Sequence, residues 1–193
     1  MYKLCKTEQS ATRQRQLEEG LLRAMETQRY EDISVSDLCD GLQIPRKSFY
    51  RYFASKDGAL QALLDHTLME FDVYTVAGIG GAASVYGILE RFFRFWHEKK
   101  SLLDALRRSG LTGLLIERAV AFSLTDEIFP KQYLPYDSPL VQQHVTTFCV
   151  CGLMSMVVTW HGQNFPTPEP EMARIAVRML SQPLFSQIPE ATS

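Results

Sequence analysis

The chain has 193 residues, of which 46% are apolar and 22% charged, and its formal net charge is −2. This length suits one domain, or a small domain that shares its core with a larger one, and the apolar fraction excludes wholesale disorder. No uncharged apolar run reaches the roughly 18 residues that a bilayer span needs, and the chain opens on a polar stretch, so neither a membrane segment nor a signal peptide is expected. Four cysteines form no disulfide scaffold, which favours a cytoplasmic protein.

Apolar residues recur at helical spacing along almost the whole chain, which predicts an all-α fold. The first helix is predicted at about residues 8–28. Ser34 is the predicted N-cap of the second helix, with Asp37 as its capping-box partner, while Pro45 opens the third and Ser55 caps the fourth. These four helices form one compact N-terminal unit.

A glycine-rich segment that contains Gly78, Gly80 and Gly81 interrupts the helical pattern and predicts a linker or hinge. Three prolines make the stretch 125–139 a predicted loop. Helix 140–162 is apolar on nearly every side, so we expect it to be buried on more than one side. The helices predicted beyond the linker span about 83–99, 101–109, 111–123, 140–162 and 171–185.

The segment Ser34–Lys56 carries the strongest functional pattern. Two short helices joined by a tight turn are typical of a helix-turn-helix, whose second helix enters the major groove of DNA. Four residues share the outward face of the third helix, and three of them are basic: Arg46, Lys47, Tyr50 and Arg51. The first 65 residues are neutral overall, so this positive charge is focused. The same pattern also fits a plain solvated face.

The run Ile33–Leu60 resembles the TetR family of bacterial transcriptional regulators, above all in the segment FYRYF at 49–53 that is followed by Lys56 and Leu60. The resemblance implies a helix-turn-helix DNA-binding domain over residues 1–66 and a larger helical effector-binding and dimerisation domain over residues 67–193. It implies a DNA-binding regulator, most simply a ligand-responsive repressor that binds a pseudo-palindromic operator as a homodimer. The alternative within DNA binding is an activator or a co-repressed regulator.

The resemblance also assigns roles at the DNA. It implies phosphate contacts for Ser34, Tyr50 and Lys56, and base contacts for the start of the third helix, whereas Arg51 suits either. Two positions depart from the family pattern, because Gln43 stands where a turn glycine is usual and Pro45 replaces a hydroxyl residue. We therefore expect Gln43 to adopt either a positive φ or an ordinary right-handed turn. The predicted DNA-binding residues are Ser34, Gln43, Arg46, Lys47, Ser48, Tyr50, Arg51 and Lys56.

The second half of the chain is rich in aromatic residues, which the family resemblance places around an effector. Aromatic residues at helical spacing belong first to a core, so each single residue is a weak candidate. The sequence does not identify the effector, although the lack of clustered cations favours an apolar or aromatic compound over an anion. The predicted effector-pocket residues are Phe92, Trp96, Leu106, Leu111, Phe122, Met156 and Trp160.

The last two predicted helices suggest a two-fold helical bundle. Helix 140–162 is too apolar to be left in water, and its small residues allow a second helix to approach closely. TetR-like proteins pair these two helices with a second copy of the chain. The alternative is that helix 140–162 forms the centre of the larger domain. The predicted dimer residues are Phe148, Gly152, Ser155, Met172, Ile175 and Met179.

Other functional classes find little support in the sequence. There is no Ser-His-Asp arrangement, no glycine-rich phosphate loop and no metal-ligand spacing among the four histidines, so we expect no enzyme, no metal and no cofactor. A helical small-molecule-binding or partner-binding protein with a vestigial DNA-binding unit is the alternative function. It draws on Gln43, Pro45 and the neutral first 65 residues.

Overall fold

The computed structural model describes residues 2, 5, 7–77, 84–125 and 138–182, without the side chains of residues 76 and 77. These residues confirm the all-α prediction, since the only strand-like pairing among them is a single bridge between Tyr2 and Phe53. The predicted linker glycines, most of the loop 125–139 and the predicted helical residues 183–185 lie outside the described residues.

Each predicted helix is present, with ends that differ by a few residues from those expected. Pro45 is the N-cap of α3 rather than its first residue, so this helix begins one residue later than predicted. A 3₁₀ turn, Tyr30–Asp32, connects α1 and α2. The helices are α1 Glu8–Thr27, α2 Val35–Gly41, α3 Arg46–Tyr50, α4 Lys56–Ala77, α5 Val85–Glu98, α6 Lys100–Arg108, α7 Thr112–Thr125, α8 Pro139–Gly162 and α9 Glu169–Ser181.

The N-terminal unit, α1 to α4, is built around the apolar stripe of α1. Leu17, Leu21 and Met25 are fully buried, as their helical spacing predicts, and α1 packs against α2, α4 and α6. Phe49 and Phe53 complete this core, with ring centroids 5.2 Å apart. The core therefore holds the short helix α3 in place from its inner side.

The C-terminal unit, α5 to α9, contains two closely packed helix pairs, and its remaining helix, α6, packs against α1, α7 and α8. Helix α8 packs mainly against α7, and α9 packs against α5. Helix α4 runs without a break through residues 66 and 67, where the predicted domain boundary lies, and it also packs against α5 and α7. Both units therefore share α4, and the boundary at 66/67 is a division within one helix.

A polar cluster ties the N-terminal arm and α4 to α7. Arg118 donates two hydrogen bonds to the Asp65 carboxylate, at 2.8 and 2.6 Å, and the Tyr2 hydroxyl donates to the same carboxylate at 2.9 Å. Burial and this bond raise the pKa of Tyr2 to about 12. Beside it, the His66 ring lies 2.8 Å from the buried Glu18 carboxylate. The two units are thus joined by charge as well as by apolar packing.

Candidate nucleic-acid interface

Helix α2 begins with the capping box that the sequence predicts. The Ser34 hydroxyl accepts from the backbone N–H of Asp37 at 3.1 Å, and the Asp37 carboxylate accepts from the backbone N–H of Ser34 at 3.1 Å. The same hydroxyl donates to the carboxylate at 2.6 Å, and these bonds hold the pKa of Asp37 below its ordinary value. Ser34 therefore fixes the start of α2, and its contact with a phosphate stays a prediction.

The turn between α2 and α3 adopts the more strained of the two expected conformations. Gln43 has φ +54°, in the left-handed region that non-glycine residues rarely occupy. The turn is closed by hydrogen bonds from the backbone N–H of Gln43 to the Asp40 carbonyl and from that of Ile44 to the Cys39 carbonyl. Gln43 thus takes the backbone role of the glycine that is usual in the family, and its side chain is exposed.

The face of α3 that points away from the core is cationic. Phe49 is fully buried, whereas Tyr50 is 52% exposed and Arg46 and Lys47 are also exposed. Arg51 follows at the end of the helix and is exposed too. Among the described residues, no ion pair occupies any of these three basic side chains. One face of α3 is apolar and holds the helix in the core. The other face exposes cations and a phenol, so it can contact an anionic surface.

Ser48 and Lys56 differ in their surroundings from the rest of the predicted set. Ser48 is only partly exposed, at the side of α3. The Lys56 ammonium donates to the carbonyls of Tyr30, at 2.5 Å, and Ile33, at 2.6 Å, and lies 4.2 Å from the centre of the Tyr30 ring. Lys56 therefore docks α4 onto the 3₁₀ turn. Contact of Lys56 with a phosphate stays a prediction. It requires the ammonium to bond to the phosphate while it also bonds to these carbonyls.

Sequence reasoning missed a glycine that sets the position of the turn. A Cβ atom on Gly20, in the middle of α1, would lie 2.6 Å from one methyl carbon of Leu42 and 2.8 Å from the other. Leu42 caps the C-terminus of α2, immediately before Gln43. The close approach of α1 to Leu42 thus places the turn, and no local pattern around Gly20 reveals a partner 22 positions away.

Two arginines flank a groove beside α3. The groove has a volume of about 600 Å³ and lies between the first turns of α1 and the end of α3, with Arg13 and Arg51 among its lining residues. The lining is mostly polar and includes one acid, Glu8. This groove extends the cationic face of α3 toward α1, and the tertiary fold rather than the sequence brings Arg13 to it.

The predicted effector residues lie in or beside the core of the C-terminal unit. Trp96 and Leu106 are fully buried, Phe92 and Trp160 nearly so, and Leu111, Phe122 and Met156 are half-buried against the core. The Trp160 N–H donates to the Thr167 carbonyl at 2.8 Å. Within the described residues, the Trp96 Nε1 and the Thr146 Oγ1 are buried without a hydrogen-bond partner. Two open cavities in the described part of the chain are lined by residues of the N-terminal unit instead.

The predicted dimer residues separate into two groups. Phe148 is 66% exposed, Ile175 and Met179 are 40% and 45% exposed, and Gly152 and Ser155 are exposed as well. Met172 is buried within this single chain, unlike the others, and its place in a dimer interface stays a prediction. One long face of α8 is exposed in this single chain, so the expectation that α8 is buried on more than one side stays a prediction that depends on a partner.

Helix α8 has the length and the apolar composition to cross a membrane. An 18-residue stretch of α8 has a mean hydropathy of 1.4, and 28% of that stretch is buried in the fold. The sequence-based expectation of no membrane segment rested on the length of unbroken apolar runs, and it stays a prediction. A long exposed apolar helix face like that of α8 marks a surface that a partner covers.

No model of a known protein family matches the chain. A stretch of 50 residues is 42% identical to the HTH-type transcriptional regulator EthR of Mycolicibacterium smegmatis (strain ATCC 700084 / mc(2)155), which is 26% of this chain and 23% of that protein. The match thus spans about a quarter of the length of this curated relative.

Solved structures are similar over most of the chain. The fatty acid degradation regulator FadR of Bacillus halodurans has a TM-score of 0.60 at 12% identity, with 86% of this chain and 96% of that chain covered. The TetR family repressor AlkX of Dietzia sp. strain DQ12-45-1b has a TM-score of 0.55 at 15% identity, with 83% and 89% covered.

These similarities define the fold. It is the fold of all-helical transcriptional regulators with an N-terminal helix-turn-helix unit. The TetR family repressor AlkX shares this fold, and the resemblance to the TetR family that the sequence predicts is confirmed.

Proposed function

We propose that the chain is a DNA-binding transcriptional regulator that acts as a homodimer in the cytoplasm, most simply as an effector-responsive repressor of a pseudo-palindromic operator. The observation that carries this proposal is the cationic outer face of α3. Arg46 and Lys47 stand at the N-terminal end of that helix, where side chains of a recognition helix reach base edges. Tyr50 and Arg51 stand at its other end and suit the phosphate backbone.

DNA binding is tested by selecting sites from a randomised DNA pool. Replacing Arg46 or Lys47 with Ala relaxes the base preference at one position in each half-site, at roughly 1–3 kcal/mol per bidentate contact. Tyr50→Phe instead weakens all sequences about equally, because a phosphate contact carries no base information. Glu19→Ala, on the exposed side of α1, is the control. An unchanged selection profile for both Arg46→Ala and Lys47→Ala contradicts the assignment of the reading residues.

A homodimer through α8 and α9 accounts for their exposed apolar face. Phe148 and Leu140 on α8 are about two-thirds exposed, and Ile175 and Met179 on α9 are exposed beside residues of the same type. Covering a few hundred Å² of such surface contributes several kcal/mol at about 25 cal/mol per Å². Gly152 has open space around its Cα, which suits a closely approaching second helix. A bilayer is the competing partner for the same face.

The dimer is tested with a pair of matched glycines. Gly152→Arg places a charge in the proposed interface, whereas Gly113→Arg places the same charge on an exposed position of α7 that also has open space. We expect the first variant to sediment as a monomer and the second as a dimer. Wild-type protein that is monomeric at micromolar concentration, or that partitions into neutral phospholipid vesicles, contradicts the proposed dimer.

The effector is proposed to bind inside the C-terminal unit beside Trp96. Two other polar side chains in the core of this unit are already occupied, since His161 bonds to Asp104 at 2.8 Å and the Trp160 N–H donates to a carbonyl. Among the described residues the Trp96 Nε1 is a buried donor without such a partner, and the Phe92 and Phe95 rings pack against Trp96. An apolar compound with a hydrogen-bond acceptor fits this setting. Trp96→Phe is expected to lower the affinity for such compounds in a thermal-shift screen.

A further inference from the structure

Tyr2, which precedes α1, is bound to parts of the N-terminal unit that are distant in sequence. Its backbone pairs with that of Phe53 in a single antiparallel bridge. Its hydroxyl donates to the Asp65 carboxylate of α4 at 2.9 Å, and its ring meets the His66 ring edge to face, with centroids 5.7 Å apart. Burial and the bond to Asp65 raise the pKa of Tyr2 to about 12, so the hydroxyl stays a donor at neutral pH. Tyr2 is thus held through its backbone, its hydroxyl and its ring.

Cys5 makes a second attachment of the same N-terminal arm. Its thiol donates to the side-chain carbonyl of Gln14 at 2.7 Å, and Gln14 is buried on α1. Glu18, one turn further along α1, is also buried and bonds to His66. Tyr2 and Cys5 therefore join the N-terminal arm to α4 and to α1, beside the polar contact between these two helices.

Helix α3 depends on contacts outside itself for its position. It has five residues, Arg46–Tyr50, and a helix this short is not stable alone in water. On its inner side Phe49 packs against Phe53, which is fully buried and belongs to the segment 51–55 that connects α3 to α4. Tyr2 pairs with the backbone of the same Phe53. The N-terminal arm thus contacts the segment against which α3 packs.

We propose that Tyr2 is a positioning residue, which fastens the N-terminal arm as a strap over the segment 51–55 and so holds α3 in the orientation that binds DNA. This inference rests on the proposed function and adds to it a residue that does not contact DNA. The strap acts within the N-terminal unit and requires no effector.

The competing role for the arm is direct contact with DNA. Lys3 and Lys6 are cations on either side of Cys5, and their charge alone suits a phosphate. The contacts of Tyr2 and Cys5 favour the strap, because both side chains are bonded to the protein. The two roles predict different salt dependences.

The experiment titrates the full chain, at several salt concentrations, with DNA that the protein has selected from a randomised pool. Tyr2→Ala is expected to lower the affinity by roughly two- to tenfold at every salt concentration, because fewer molecules hold α3 in place after one buried hydrogen bond is lost. The salt slope is expected to stay unchanged, since no phosphate contact is removed. The Lys3→Ala, Lys6→Ala double variant is expected to keep both the affinity and the slope.

Measurements on the free protein show whether the strap has been released. Tyr2→Ala is expected to speed amide hydrogen exchange in the segment 51–55. It is also expected to speed the alkylation of Cys5 by iodoacetamide, with Cys149 and Cys151 of α8 as internal standards. Cys5→Ala is the milder variant, since it removes only the second attachment, and is expected to speed the same amide exchange to a smaller extent.

Two further variants separate positioning from general stability. Tyr2→Phe keeps the ring and the backbone pairing, so it is expected to recover most of the affinity that Tyr2→Ala loses. Ser84→Ala removes the N-cap of α5 in the C-terminal unit. It is expected to leave both the DNA affinity and the exchange of the segment 51–55 unchanged.

Two results overturn the inference while the proposed function stands. Tyr2→Ala that changes neither the affinity nor the exchange of the segment 51–55 contradicts the strap. A Lys3→Ala, Lys6→Ala variant whose salt slope is shallower by about 0.9 or more shows that the arm contacts a phosphate instead. If no DNA is selected at all, the proposed function fails, and the role of Tyr2 in DNA binding fails with it.

Discussion

In the N-terminal unit the exposed residues proposed to contact DNA are polar and lie close to helix ends. In the C-terminal unit the exposed residues proposed to contact a second chain are apolar and lie along the length of two helices. Arg46 and Lys47 extend from the first turn of α3, and Phe148 and Ile175 extend from the middle of α8 and α9. The first arrangement suits a charged ligand met at close range, and the second suits a wide partner such as another copy of the chain. Variants in both units test this difference.

The largest effect is expected at Gly20. An alanine Cβ would overlap the methyl groups of Leu42, which must move, so Gly20→Ala is expected to fall about 1–3 kcal/mol below the stability that its gain in helix propensity alone predicts. Gly113→Ala, on α7 with open space, is the control from the C-terminal unit and is expected to be neutral or slightly stabilising. Urea unfolding at a fixed protomer concentration measures both. Equal stability of the two variants contradicts the close approach of α1 to Leu42.

A double-mutant cycle localises that effect. Leu42→Ala removes the methyl groups that the new Cβ of Gly20→Ala would meet, so the two substitutions together cost less than their sum. An additive cycle shows that another neighbour of Gly20 causes the loss.

A smaller effect is expected for the helix caps. Ser34→Ala removes one side of the capping box of α2 and is expected to cost about 1 kcal/mol. Ser84→Ala removes the N-cap of α5, whose hydroxyl accepts from the backbone N–H of Gly87 and, among the described residues, has no reciprocal partner. A smaller loss of stability is therefore expected in the C-terminal unit. Urea midpoints measure the difference. A larger loss for Ser84→Ala contradicts the reciprocal bonding at Ser34.

The capping box also predicts a direction for pH. Because the folded-state pKa of Asp37 lies below its ordinary value, its stabilising contribution is complete above that ordinary value, near pH 4, and is lost as the pH falls through the folded-state pKa. The stability difference between wild type and Asp37→Asn is therefore expected to shrink on acidification. A difference that grows as the pH falls contradicts the assignment.

The smallest effect is expected at the two strained turns. Gln43→Gly relieves a positive φ and is expected to stabilise the fold by about 0.5–1 kcal/mol after the entropic cost of glycine. Asn164→Gly, at φ +61° in the turn between α8 and α9, is expected to gain less, because asparagine tolerates this conformation better. Thermal unfolding compares the two. A loss of stability in Gln43→Gly contradicts this expectation. It means that contacts of the glutamine side chain stabilise the fold by more than the strained backbone destabilises it.

Features that depend on neighbours in the sequence were predictable. The helices follow from apolar spacing, and the cap at Ser34 follows from Asp37 three positions later. The exposed face of α3 follows from the burial of Phe49 and Phe53 on its other side. For Gln43, the sequence left two backbone conformations open, because the choice depends on how α2 and α3 pack.

Features that depend on distant contacts were not predictable. Lys56 is held by carbonyls 23 and 26 positions earlier, and Gly20 is required by a side chain of another helix. Met172 shares the helical stripe of Ile175, yet it is buried within the single chain whereas Ile175 is 40% exposed. Which face of an apolar helix is covered is a property of the assembled fold, so the sequence alone could not separate these two residues.

The salt dependence of DNA binding tests the central claim most directly. Full-length protein and DNA that it has selected are titrated at several salt concentrations, and the logarithm of the affinity is plotted against that of the salt concentration. A cationic α3 that meets the DNA backbone gives a steep negative slope, of roughly −0.9 for each neutralised phosphate, and Arg51→Ala makes it shallower. A slope near zero contradicts the account, because the basic face of α3 would then contact no phosphate.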